Sequence, residues 1–188
     1  MIRTVILGLS AATAAGLLFV NVYNSVIDAA NWSSALPNSV VPAREYFSVA
    51  NPGHFFRMVS PFNQILALGV VLLSWKHGRA RYMALASLVL AVSADIFTFG
   101  YFYPRNEILF TGPLTTNVDT LRLAAEQWTS MNWFRSAMCA TNTFLAFAIL
   151  ITTSKGICME LFNLDHLAAM ETLRGNPIVV YAGIIQDD

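Results

Sequence analysis

Apolar residues in this chain fall in long runs, and four of those runs approach the ~20 residues that a helix needs to cross a bilayer core. The first, about residues 4–30, carries no charge until Asp28. The third, about 82–103, is interrupted only by Asp95, and the fourth, about 133–153, only by Arg135. The second is less evident, because Phe62 to Trp75 alone is too short. Extending it back through Phe55 and Phe56 gives a span over about 55–75, with Pro61 as an expected kink. Pro104 is expected to end the third span. Helical spacing of Leu121, Ala124, Ala125 and Trp128 predicts a further helix that can run straight into the fourth span. Beyond Lys155–Gly156 the spacing of Leu161, Leu164, Leu167 and Ala168 predicts an amphipathic helix over 158–174, ended by Gly175-Asn176-Pro177. An extended apolar tail over 178–181 follows.

The expected fold is therefore all-α, a four-helix membrane bundle over 1–155, with a short amphipathic helix and extended tail over 156–188. Composition agrees. Of 188 residues, 56% are hydrophobic and 12% charged, about half the charge of a soluble domain. Mean hydropathy is +0.55. Eleven Lys and Arg balance eleven Asp and Glu, so no net field attracts nucleic acid or anionic lipid. Cys139 and Cys158 can form no disulfide framework and lack metal-ligand spacing. The N-terminal run resembles a signal peptide but continues well past an h-region, so a retained span is expected.

Arg3, Lys76, Arg79, Arg81 and Lys155 flank the spans on one side, which the positive-inside rule makes cytoplasmic, together with both termini. Arg44, Arg57, Arg105, Arg122 and Arg135 then lie on or near the outer side, mixed with acids.

Each span carries a polar stripe. At 100° per residue, Asn21, Asn24 and Asp28 fall within about 60° of one another, and His54, Arg57 and Gln64 within about 80°. Asp95 shares a face with Thr98, and Asn132, Arg135, Cys139 and Asn142 share another. All lie in the expected outer half. A charge at mid-bilayer costs about 2.5–3.5 kcal/mol on insertion scales, so such groups turn inward and find partners. For Asp95 the counterions on offer are Arg57 and Arg135. One reading is a structural ion pair; the other is a polar pocket opening to the outer leaflet. His54 has the chemistry of a general acid or base, but after Asn-Pro-Gly it also suits a helix start. Asp28, His54, Asp95 and Glu107 show no metal-ligand spacing, and no cofactor is clearly indicated. Cys139 reads as a packing residue.

Phe-Tyr-Pro-Arg-Asn-Glu-Ile-Leu at 102–109, followed by Trp128-x-x-x-Asn132-x-x-Arg135, resembles a family of small four-span proteins that includes the anthrone oxygenases. Pro104, Asn106 and Leu109 match its Pro-x-Asn-x-x-Leu, and Trp128, Asn132 and Arg135 match its Trp-x-x-x-(Asn or His)-x-x-Arg. The resemblance covers 102–135 best. It implies a four-helix bundle and, for some members, oxygenation of a polycyclic anthrone without a conventional cofactor. Asn132 stands where other members have His, so His-dependent chemistry is not carried over.

The expected function is thus an oxygenase-like enzyme acting on a hydrophobic small molecule that arrives from the lipid. His54, Arg57, Asp95 and Arg135 are its candidate catalytic residues. Asn21, Asn24, Asp28, Arg105, Asn106 and Asn132 are its candidate substrate-binding residues. Asp95 or His54 would take a proton, and Arg57 or Arg135 would hold the resulting oxyanion. A non-catalytic subunit of a larger membrane complex is the alternative, as a homo- or hetero-oligomer formed through the spans and the C-terminal tail. A small-molecule carrier is the second alternative, though no span is broken by Gly or Pro at mid-depth as transporters' often are.

Overall fold

The computed structural model describes residues 2–113 and 117–174, with side chains described to residue 153. Five helical elements make up the described chain. α1 covers Ile2–Trp32 and α2 covers Val40–Tyr46. α3 covers Pro52–Ser74, α4 Gly78–Thr111 and α5 Val118–Arg174. No strand occurs among the described residues. Four segments, in α1, α3, α4 and α5 to Thr153, are long and apolar enough to cross a membrane. This is the architecture of a multi-pass integral membrane protein.

The chain divides into two compact units, Met1–Leu150 and Ile151–Asp188. In the first, the long helices form a ring in which each touches the next in sequence and α5 returns to α1. α1 packs on α3 and α3 on α4. Asn142 of α5 pairs with Ser87 of α4, and Ser136 of α5 with Asn21 of α1. Small residues allow these approaches: Ala11, Ala14, Ala84, Ala91 and Ala146 are all buried. The described part of the second unit is the last portion of α5. The helix expected over 158–174 is not a separate element, because α5 runs unbroken through Gly156 to Arg174. A lone glycine costs a helix about 1 kcal/mol and does not stop it. The faces of that portion, its Gly175-Asn176-Pro177 stop and the tail over 178–181 lie outside the described residues.

Two plugs close the bundle along its axis. At the end bearing Arg3 and Lys76, here the basic end, Leu7, Val70, Val71, Ala84 and Ile149 form an aliphatic layer. At the other, aromatic end, Trp32, Phe102, Leu109, Leu121 and Trp128 form a buried cluster. Its rings meet edge to face, with Trp32 5.3 Å from Trp128 and Phe102 5.5 Å from Trp128. α2 fastens this cap. Arg44 donates from Nε and Nη2 to the carbonyl of Leu109 at 2.9 and 2.7 Å, and from Nη1 to that of Gly112 at 2.8 Å. A cation thereby meets the orphan carbonyls at the negative end of α4.

Pro104 does not end the third span. α4 widens into a π turn at Thr98–Phe102, resumes as α-helix over Tyr103–Asn106, and widens again at Glu107–Thr111. The proline sits in the first turn after a π turn, where its missing N–H removes no regular ladder bond. Pro61 likewise lies within α3 without ending it.

Candidate functional site

Between the two plugs the bundle core is polar. Asn132, fully buried on α5, donates from Nδ2 to the carbonyl of Asn21 at 3.2 Å and to Ser25 Oγ on α1. Asn21, also fully buried, donates back to Ser136 Oγ at 2.7 Å. This reciprocal pair locks α1 to α5. One turn on, Arg135 gives Nη2 to Asn132 Oδ1 at 2.6 Å and Nη1 to Thr98 Oγ1 at 3.2 Å. Its guanidinium lies 4.3 Å from the Phe102 ring centroid and 5.2 Å from that of Phe56. Arg135 is only 7% exposed. Four residues from three helices therefore fix its orientation.

Asp95 is half-buried on α4. Gln64 of α3 donates to its Oδ2 at 2.7 Å, and Ser60 and the charge of Arg135 are its other polar neighbours. Lower still, Thr13 bonds Asn63 at 3.0 Å and Ser87 bonds Asn142 at 2.6 Å.

These groups enclose a cavity of about 40 Å³. Asn21, Asn63, Asp95, Arg135, Cys139 and Asn142 supply most of its chemistry, and Phe56, Leu17 and Met138 most of its apolar wall. That volume holds a few waters or one functional group; a whole drug-sized ligand needs roughly 300–1,000 Å³. Two of the lining residues each hold a buried atom without a hydrogen-bond partner, Arg135 Nε and Asn21 Oδ1. One is a donor and the other an acceptor. Leaving such groups bare costs about 1–3 kcal/mol each, so they mark where a polar guest belongs.

Of the ten residues singled out from sequence, Asn21, Asp95 and Arg135 line the cavity, and Asn132 supports it from behind. The other six go elsewhere. His54 is exposed at the start of α3, where it closes a capping box: its N–H reaches Asn51 Oδ1 at 3.2 Å and its Nδ1 accepts from Asn51 N–H at 3.1 Å. Its Nδ1 thus serves the start of α3, and His54 is not among the residues that line the cavity. Arg57 is exposed and not part of the lining; Asp95 takes its hydrogen bond from Gln64, with Arg135 acting on it through charge. Arg105 stacks 3.5 Å over Tyr101 and bonds Gln127 Oε1 at 3.0 Å. Asn106 accepts from Trp128 Nε1 at 2.8 Å. Asn24, though buried, and Asp28 also lie outside the lining.

The two stretches that carry the resemblance thus meet in space. Asn106 bonds Trp128, and Leu109 is buried beside it. Asn132 and Arg135 continue from this joint to the cavity.

Asn63 and Ser60 are lining residues the sequence reading passed over. Their signal was present: both fall on the small, buried stripe of α3 that continues through Ala67 and Val70. Among the described residues no group of three or more His, Cys, Asp or Glu could hold a metal. The cavity's own chemistry is one carboxylate, one guanidinium, one thiol, two hydroxyls and three amides. Comparison with family models, curated proteins and solved structures finds no match for this chain.

Proposed function

We propose that this membrane protein holds the oxygen-bearing group of a lipophilic small molecule in the cavity between Asp95 and Arg135, and acts on it as an enzyme. The observation that carries the reading is the unpartnered pair Arg135 Nε and Asn21 Oδ1, on residues that line a cavity shared with a carboxylate. A carbonyl or hydroxyl oxygen placed there would accept from Nε. Asp95 would then take a proton from the adjacent carbon or oxygen, and the fixed guanidinium would hold the oxyanion that forms. The small volume admits only the reacting group, so the apolar body of the substrate would lie among the helices or in lipid. The resemblance to the anthrone oxygenases' family would add a second step: the carbanion passes two electrons to dioxygen and, with the proton returned by Asp95, forms a hydroperoxide that loses water to leave a carbonyl.

The test is mass spectrometry of molecules retained through mild-detergent purification. The expected result is a lipophilic oxygen compound that is retained by the native protein and lost from Asp95→Asn and Arg135→Gln. Equal retention by all three would refute the reading. A non-catalytic subunit is the second reading, favoured by how many polar side chains are consumed in fastening helices to one another. Co-purification of a stoichiometric partner protein would support it. The aliphatic and aromatic plugs weigh against a carrier.

A further inference from the structure

Across residues 2–153, charge is sorted along the bundle; five of the eleven acids lie beyond them, in 156–188. Arg3, Lys76, Arg79 and Arg81 gather at the basic end, and segments 2–27, 65–94 and 136–153 contain no Asp or Glu. The acids with described side chains begin at the level of Asp95 and continue to the aromatic end. Lys76 and Arg79 are exposed. Arg81 is held between aromatic rings, 5.7 Å from the Trp75 centroid and 4.8 Å from that of Tyr82, with Nη2 on the Tyr82 hydroxyl at 2.9 Å. Trp75 and Tyr82 are themselves more than half exposed, as rings at a headgroup boundary are.

Two further features mark this end. α4 begins at this turn with His77 as N-cap and no side-chain cap, and no acid occupies its first turn. Arg79 and Arg81 stand in that turn, where a cation opposes the helix dipole. Its first backbone N–H groups are therefore unclaimed beside two guanidinium groups. One turn beyond the layer where Leu7 meets Val70, Arg3 Nε and Ser74 Oγ are buried without partners, and Ser74 is 1% exposed.

We propose that the basic end binds the phosphate of an anionic phospholipid. Arg79, Arg81 and Lys76 would hold the phosphate at the start of α4, with Trp75 and Tyr82 set at the glycerol level and the acyl chains along the apolar faces of α3 and α4. This is independent of the cavity and of any activity there. A zwitterionic lipid carries its own counter-cation and gains little from the cluster; a singly anionic headgroup gains from every member.

The experiment is native mass spectrometry of the full-length protein in detergent, titrated with phosphatidylglycerol or with phosphatidylcholine of the same acyl chains. Inorganic phosphate serves as the soluble probe. Phosphatidylglycerol should bind more tightly, and the preference should shrink as salt is raised. Arg79→Gln with Arg81→Gln should weaken it about 25-fold, two cations each contributing about fivefold at a charged surface. Arg122→Gln at the other end should leave it unchanged. Equal binding of the two lipids, an unchanged double variant, or full competition by inorganic phosphate would each overturn the proposal. The salt series needs no substitution, so the test stands even if a variant fails to fold.

Discussion

Trp128→Phe removes the N–H and two ring carbons from the joint between α4 and α5 while leaving an aromatic ring in the cap. The indole Nε1–H donates to Asn106 Oδ1 at 2.8 Å, and the ring lies edge to face with Trp32 and Phe102. A phenyl ring keeps much of that ring contact and loses the donor. Interhelical hydrogen bonds in membrane proteins average about 0.6 kcal/mol and reach about 1.7. The Asn106 carbonyl left behind is only part-buried, so its desolvation adds little. The expected loss from the hydrogen bond is about 1 kcal/mol, beside a smaller loss for the reduced ring area. Those two terms are separable. In a double-mutant cycle with Asn106→Ala, the hydrogen bond appears as a coupling of about 1 kcal/mol, whereas ring area cancels. The assay is reversible unfolding in mixed micelles for the wild type, both single variants and the double. Additivity within about 0.3 kcal/mol would show that the Trp128–Asn106 bond does not fasten the two resemblance-bearing stretches together.

Other substitutions probe other joints. Arg44→Gln strips the charged donors from the Leu109 and Gly112 carbonyls; a loss of about 2 kcal/mol is expected, with faster proteolysis near residue 112 as the readout. Asn132→Ala breaks two bonds to α1 and frees Arg135 Nη2 inside the core, so unfolding should show a loss of about 2–4 kcal/mol. His54→Ala keeps the Asn51 cap on its own N–H, so it should cost less than the roughly 1 kcal/mol of a lost N-cap and leave retention of any cavity ligand unchanged; loss of the ligand would place His54 in the site.

Hydropathy made the spans legible, because a membrane demands unbroken apolar length. Azimuth was legible too. The stripes that grouped Asn21 on α1, Asp95 with Thr98 on α4, and Arg135 with Cys139 and Asn142 on α5 do face one cavity. Depth was not legible. His54, Arg57 and Gln64 share a helix face, yet His54 lies ten residues, about 15 Å of helix, from Gln64, and only the register of α3 against α4 shows that Gln64 alone meets Asp95. A π turn hides from periodicity as well. By rephasing α4 before Pro104, it carries Arg105 to Gln127 and Asn106 to Trp128 rather than over the cavity. Arg44 left no trace for another reason: its partners are backbone carbonyls, which sequence does not label.

The central claim concerns what fills the cavity, and a high-resolution density map of the protein purified without ligand exchange tests it most directly. The account predicts non-protein density that meets Arg135 Nε and Asn21 Oδ1, lies beside Asp95, and continues as an apolar body among the helices. Isolated water peaks bridging those same atoms, with no density leading away, would contradict it.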